Sequence, residues 1–179
     1  MQTFDELEED LREAPTRVGT VRLIVRRPAV DKREVVTEAQ LDMGEGLLGD
    51  TWRVRGSSST ADGSANPEAQ ITVMSARAAA AIAGDVERWP LAGDQLYVDF
   101  DLSEENLPAG TRVIVGDAEL EVSAKPHTGC AKFSARFGKD ALRLVSTPTG
   151  RALRLRGMNA RVTKSGTVRF GDRITPVDP

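Results

Sequence analysis

The sequence is poor in the residues that usually build metal sites and covalent staples. It holds one cysteine, Cys130, and one histidine, His127. A single cysteine excludes an internal disulfide, so nothing in the chain asks for an oxidising compartment. It also excludes an iron–sulfur cluster held by protein thiolates alone, which takes several. With one histidine beside it, a zinc site of the Cys/His kind lacks ligands. Aromatic residues make up only 4% of the chain. No base-stacking platform or groove-reading motif is visible, so nucleic acid is not an expected partner. Long hydrophobic runs are absent too. The longest apolar stretch, Ala78–Ala83, falls far short of a membrane span. The first 13 residues are acidic and do not resemble a signal peptide. A cytoplasmic protein without membrane contact is expected.

What is present is ordinary globular material, 40% hydrophobic and 28% charged over 179 residues, which suits one domain. The net charge of −3 is unevenly spread. Six acids crowd residues 1–13 against the single base Arg12, whereas residues 110–179 hold 13 Lys and Arg against 6 Asp and Glu. A basic C-terminal half favours a small anionic ligand; scattered surface arginines are the plainer account of the same charge.

Residues 1–15 read as an acidic helical segment, with apolar positions at Phe4, Leu7 and Leu11 and a stop at Pro15. The remainder, 16–179, reads as mostly β with a few helices. Strands are expected over Thr16–Arg27, Arg33–Leu41, Gln70–Met74, Gln95–Phe100, Arg112–Val115, Ala118–Ala124, Met158–Thr163, Thr167–Phe170 and Arg173–Val177. Gly116-Asp117 signals one hairpin and Lys164–Gly166 a second. Ser75 caps a helix over Ala76–Ala83, which Gly84 ends. Arg53–Ala69 is loose, rich in Ser, Gly, Asp and Asn. This pattern predicts a closed or nearly closed β-barrel with helical additions.

Cys130 follows Lys125-Pro126-His127-Thr128-Gly129, just past a strand end, and precedes a helical stretch, Ala131–Phe137. A thiol at a helix start, with Lys125 and Lys132 nearby, suits a reactive or metal-ligating role. The competing reading is a small buried hydrophobe. His127 reads as a general base, a phosphate contact or, by preference, a surface turn residue. Gly46–Asp50 fits neither a P-loop nor a dinucleotide fingerprint.

Taken in order, several segments resemble the MOSC domain, named for the C-terminal part of molybdenum cofactor sulfurase. Gly46-Leu47-Leu48-Gly49-Asp50 is similar to the family's G-L-x-G-D, and Ala69–Ser75 to its strand-to-helix segment. Glu105-Asn106-Leu107 resembles its G-E-N-L element, with Glu104 where the family has glycine. Thr51-Trp52 stands where Arg-His is common. Val115–Val122, Gly129-Cys130 and Asn159–Asp172 complete the match, which spans about Val18 to Val177. The resemblance implies a barrel-like fold and binding of the molybdenum cofactor, a molybdopterin bearing a dithiolene and a phosphate. It implies that Cys130 is the molybdenum ligand and the catalytic residue. Asp50 and Asn106 would shape the cofactor pocket, and Lys132 and Arg161, with Arg136, Arg151, Arg154 and Arg156, would be phosphate partners. Two activities follow from it. One is reduction of N-hydroxylated small molecules, with electrons from an external donor. The other is non-enzymatic carriage of sulfur as a Cys130 persulfide loaded by a cysteine desulfurase.

Overall fold

The structure, a computed structural model, describes residues 2–178. Thr3 opens the first helix, α1 (Phe4–Arg12), with a reciprocal cap. Its hydroxyl accepts from the Glu6 backbone N–H while the Glu6 carboxylate accepts from its own. Leu7 and Leu11 turn inward. The chain continues as β1 (Gly19–Arg26), β2 (Glu34–Val36), β3 (Glu38–Asp42) and β4 (Gly46–Leu47), then a short helix α2 (Trp52–Arg55). Next come β5 (Ile71–Ser75), α3 (Ala76–Ala83), β6 (Leu96–Asp99), β7 (Arg112–Val115) and β8 (Ala118–Val122). Three helices follow, α4 (Ala131–Phe137), α5 (Lys139–Ser146) and α6 (Pro148–Ala152). The last elements are β9 (Met158–Lys164), β10 (Gly166–Arg169) and β11 (Arg173–Pro176).

Seven strands close into a barrel in the order β1, β11, β7, β8, β9, β5, β6 and back to β1, with β2 added to the edge of β1. All pairs are antiparallel except β5–β6. A parallel pair needs a crossover, and α3 supplies it. Lying over that pair, α3 leaves every residue of β5 buried, Thr72 and Ser75 included, so the strand shows no alternation of buried and exposed positions. β7 and β8 instead alternate buried and more exposed positions, because their outer face meets water. The barrel interior is filled by Val21, Ile24, Val73, Leu96, Leu120 and Ile174, among others. A second apolar cluster lies outside the wall, where Leu7, Met74, Tyr97, Phe133, Val145 and Leu155 join the helices to the barrel.

Two expectations from the sequence are corrected. The strand expected over Arg33–Leu41 is two strands in two sheets, with β2 on the barrel and β3 in a separate three-stranded sheet ordered β10, β3, β4. The expected hairpin about Lys164–Gly166 does not form: β9 pairs with β5 and β8, and β10 pairs with β3. Gly166 packs so closely on the Asp117 backbone that no Cβ fits there, and this contact carries the chain away from β9. The Gly116-Asp117 hairpin forms as expected, with Gly116 at φ 57°. The loose segment is held by its own hydroxyls and carboxylates, such as Ser64 on Asp62 and Thr60 on the Ser57 carbonyl.

Candidate functional site

Cys130 occupies the N-cap of α4 with extended backbone, its thiol makes no capping hydrogen bond, and it is exposed. The buried-hydrophobe reading is therefore wrong for this cysteine. The segment that delivers it is firmly held. The Ser123 N–H donates to the Asn159 carbonyl, and the Asn159 amide donates back to the Lys125 and Pro126 carbonyls. Gly129 lies so close to Leu142 and Val145 of α5 that a Cβ there would press on both.

His127 fixes the same segment from below. Its Nε2 sits 2.9 Å from Asp94 Oδ1, while the other Asp94 oxygen accepts from Arg156 Nη1. The Asp94 side chain has no exposed surface and that of Arg156 only 8%. The Arg156 guanidinium also donates to the Ala92 carbonyl and lies 5.1 Å over the Phe133 ring, so the network reaches α4 itself. Burial alone would raise the Asp94 carboxyl; Arg156 and His127 overcome this and hold it below its ordinary value. Burial and then Arg156 push His127 below its ordinary value, with Asp94 pulling the other way, so the ring is neutral near pH 7. The reading of His127 as a surface turn residue is corrected by this bond to a buried carboxylate, which leaves 17% of the side chain exposed. Asp94 carried no signal beyond a Gly-Asp pair before a strand, which is also turn chemistry.

Two recesses are lined by chain neighbours of Cys130, Lys132 in one and Thr128 and Gly129 in the other, and Cys130 itself lines neither. On the Lys132 side lies a pocket of about 210 Å³ whose lining includes Arg27, Arg33, Arg55 and Lys132, with Asp31, itself paired with Arg136, as its one acid. Arg27 is committed to Asp50, donating to both carboxylate oxygens at 2.8 Å. Asp50 also caps the Trp52 N–H at 3.0 Å. Burial would raise the Asp50 carboxyl, and Arg27 outweighs it. Asp50 thus positions Arg27 at the recess wall, with its own carboxylate fully engaged. Arg55 and Lys132 make no ion pair among the described residues. Burial, followed by repulsion from Arg27, lowers Arg55; burial, followed by Arg136 and Arg27, lowers Arg33. Cations pressed together in this way gain from an anion between them. On the His127 side lies a cleft of about 320 Å³, with Ser123, Lys125, His127, Arg151, Arg156 and Asn159 in its lining.

The other residues singled out in the sequence sit elsewhere. Asn106 ties its own loop, donating to the Thr16 and Asp101 carbonyls, and faces a different, shallow groove. Arg161 pairs with Glu121 across β8 and β9 on the outer face and lines neither recess. Arg136 is held by Asp31 and the Leu91 carbonyl. Arg27, Arg33 and Arg55 were missed, since nothing in the sequence says that they converge with Lys132. A more open groove of about 650 Å³ lies by α3, but its Arg77 is engaged with Asp10 and Asp99 and it holds no nucleophile.

The MOSC domain model matches residues 60–175, which cover the cleft, the network and the cysteine. The chain belongs to the MOSC domain family. This family is generally molybdenum-cofactor-binding, and the closed barrel found here is of its type. Similar solved structures include the YUAD protein from Bacillus subtilis, 18% identical, covering 89% of this chain and 95% of that one with a TM-score of 0.66. YiiM from Escherichia coli is 21% identical, covering 89% and 70%, with a TM-score of 0.58. YiiM from Geobacillus stearothermophilus is 15% identical, covering 89% and 75%, with a TM-score of 0.59. At these identities the likeness is one of fold. No curated protein matches the chain. No helix among the described residues is long and apolar enough to cross a membrane.

Proposed function

We propose that this MOSC protein binds a molybdenum pterin cofactor with Cys130 as the metal ligand, and that it reduces N-hydroxylated compounds with it. The observation that supports the reading is the exposed thiol two residues from Lys132, which with Arg55 supplies cations free of ion pairs among the described residues to a basic recess.

The donor set fits such a group. Among the described residues no cluster of three or more His, Cys, Asp or Glu could hold a metal by itself. A lone thiolate is a poor site for a bare ion but a good one for a metal that arrives already chelated by a dithiolene. Arg55 and Lys132, with Arg33 beside them, would hold the anionic part of the cofactor, and the Arg27–Asp50 pair keeps the wall of the recess in place. When bound, the cofactor supplies the two-electron redox chemistry. The overall conversion of an N–OH group and two protons to N–H and water takes two electrons, which an external donor must deliver. The chain contributes a thiolate held on a rigid segment and a positive recess.

The test is elemental analysis of protein made in cells that synthesise the cofactor. Stoichiometric molybdenum is expected in the wild type, with loss in Cys130→Ser and weakened retention in Arg55→Ala/Lys132→Ala. Equal metal in wild type and Cys130→Ser overturns the reading.

The exposure of Cys130 favours a second reading, a sulfur carrier charged by a cysteine desulfurase. A thiol open to solvent can be reached by a partner protein, and a persulfide is within its chemistry. Mass spectrometry of protein co-expressed with a desulfurase would then show one added sulfur on Cys130 and no metal.

A further inference from the structure

The cleft on the His127 side has a lining that the cofactor reading leaves unused. Its volume of about 320 Å³ lies within the range of small-molecule sites. The lining is graded in charge. Arg151 is exposed and Lys125 partly exposed, and neither is ion-paired among the described residues. The more buried groups are different. Ser123 Oγ is buried without a hydrogen-bond partner, and so is Nε of Arg156, a residue only 7% exposed. His127 Nε2 is committed to Asp94, so in the neutral ring the proton lies on Nε2. Nδ1 then keeps a lone pair and has no partner among the described residues. Val145 and Met158 add apolar surface. Glu104 is the one acid of the lining. The cleft therefore pairs its cations with the buried Ser123 hydroxyl and the open His127 acceptor, and an unmet buried group such as Ser123 Oγ costs free energy that a ligand reaching it returns. Thr128 and Gly129, the two residues before Cys130, form part of its wall.

We propose that this cleft binds small N-hydroxylated carboxylates, the carboxylate pairing with Arg151 and Lys125, the N–OH hydrogen donating to His127 Nδ1 and the hydroxyl oxygen accepting from Ser123. As a statement about substrates it rests on the reductase reading; as a binding site it stands on the cleft alone. Anionic members of the substrate class are then preferred over neutral ones. Ser123, His127 and Arg151 are the residues that set this preference.

The experiment is calorimetric titration of the full chain made in cells unable to synthesise the cofactor, so that a hydroxamate cannot be held by metal chelation. Succinohydroxamate carries both groups, acetohydroxamate lacks the carboxylate and succinamate lacks the N–OH. Succinohydroxamate is expected to bind on the order of tenfold more tightly than either. Arg151→Glu should abolish its advantage over acetohydroxamate, and Ser123→Ala should reduce its advantage over succinamate. Circular dichroism of both variants checks that they fold. Equal binding of the three compounds, no binding of any, indifference to Arg151→Glu, or displacement by an equal concentration of inorganic phosphate overturns the proposal. Binding seen only in metal-loaded protein also overturns it. Lack of molybdenum in protein from competent cells sinks the reductase reading and leaves the titration result untouched, so the two failures are separable.

Discussion

Asp94 Oδ1 and His127 Nε2 lie 2.9 Å apart, and this contact ties the segment carrying the exposed thiol to a carboxylate with no exposed surface. The same carboxylate is held by Arg156, so three side chains from three parts of the chain meet at one buried point. Removing the central charge leaves Arg156 buried and unpaired. Asp94→Ala is expected to cost about 3–5 kcal/mol of folding stability, read by urea denaturation. A loss below 1 kcal/mol would show that the network contributes little.

The protonation of His127 makes a second expectation. Its folded value lies below the ordinary 6.5, so the unfolded chain takes up a proton that the folded chain refuses. Stability from this group is complete above the ordinary 6.5 of the unfolded chain and is lost as the pH falls from there through the lower folded value. Asp94, held below its ordinary 3.8, keeps its own contribution until far lower pH. Denaturation midpoints should therefore decline as the pH falls from about 7.5 to 5. His127→Gln, which can still donate to Asp94, should flatten that decline.

Cys130 is exposed and caps nothing, so Cys130→Ser should change stability by no more than about 0.5 kcal/mol. The native thiol should react stoichiometrically with a disulfide reagent without denaturant. Metal retention or sulfur loading should vanish in the variant while its melting temperature stays put. A Cys130 that reacts only after unfolding contradicts the structure.

Gly19 stands at the seam of the barrel, opposite Ile174. A Cβ there would run into the Asp99 carbonyl oxygen and the Phe100 side chain. The obstacle is partly backbone and cannot swing aside, so Gly19→Ala should cost about 2 kcal/mol or more. Thermal melting checks it.

Much of the fold was legible because it is local. Ser75 as a helix cap, Gly116-Asp117 as a turn and the alternation of β7 and β8 each follow from a few adjacent residues. Pairing partners were not legible in the same way. Alternation marks Thr167–Arg169 as a strand but cannot say that it pairs with Glu38–Gln40, far back in the chain. The site divides along the same line. Cys130 was found from its neighbours in sequence, and Lys132 beside it. The burial of His127 depends on Asp94 and Arg156, distant residues whose identities look ordinary one at a time. Asp50 was read as a pocket residue from its motif, whereas its carboxylate is engaged with Arg27.

The closing seam also constrains how the chain comes to be folded. Among the described residues, β1 and β11 are registered through Gly19–Ile174 and Thr20–Arg173, partners separated by most of the described chain. Until β11 docks, β1 can hold β2 and β6 while its register with β11 waits. Such long-range closure makes for slow folding and for an open strand edge during synthesis. Loss of β11 would expose the edges of both β1 and β7, so susceptibility to proteases is expected to depend on the docking of this one strand far more than on the loops.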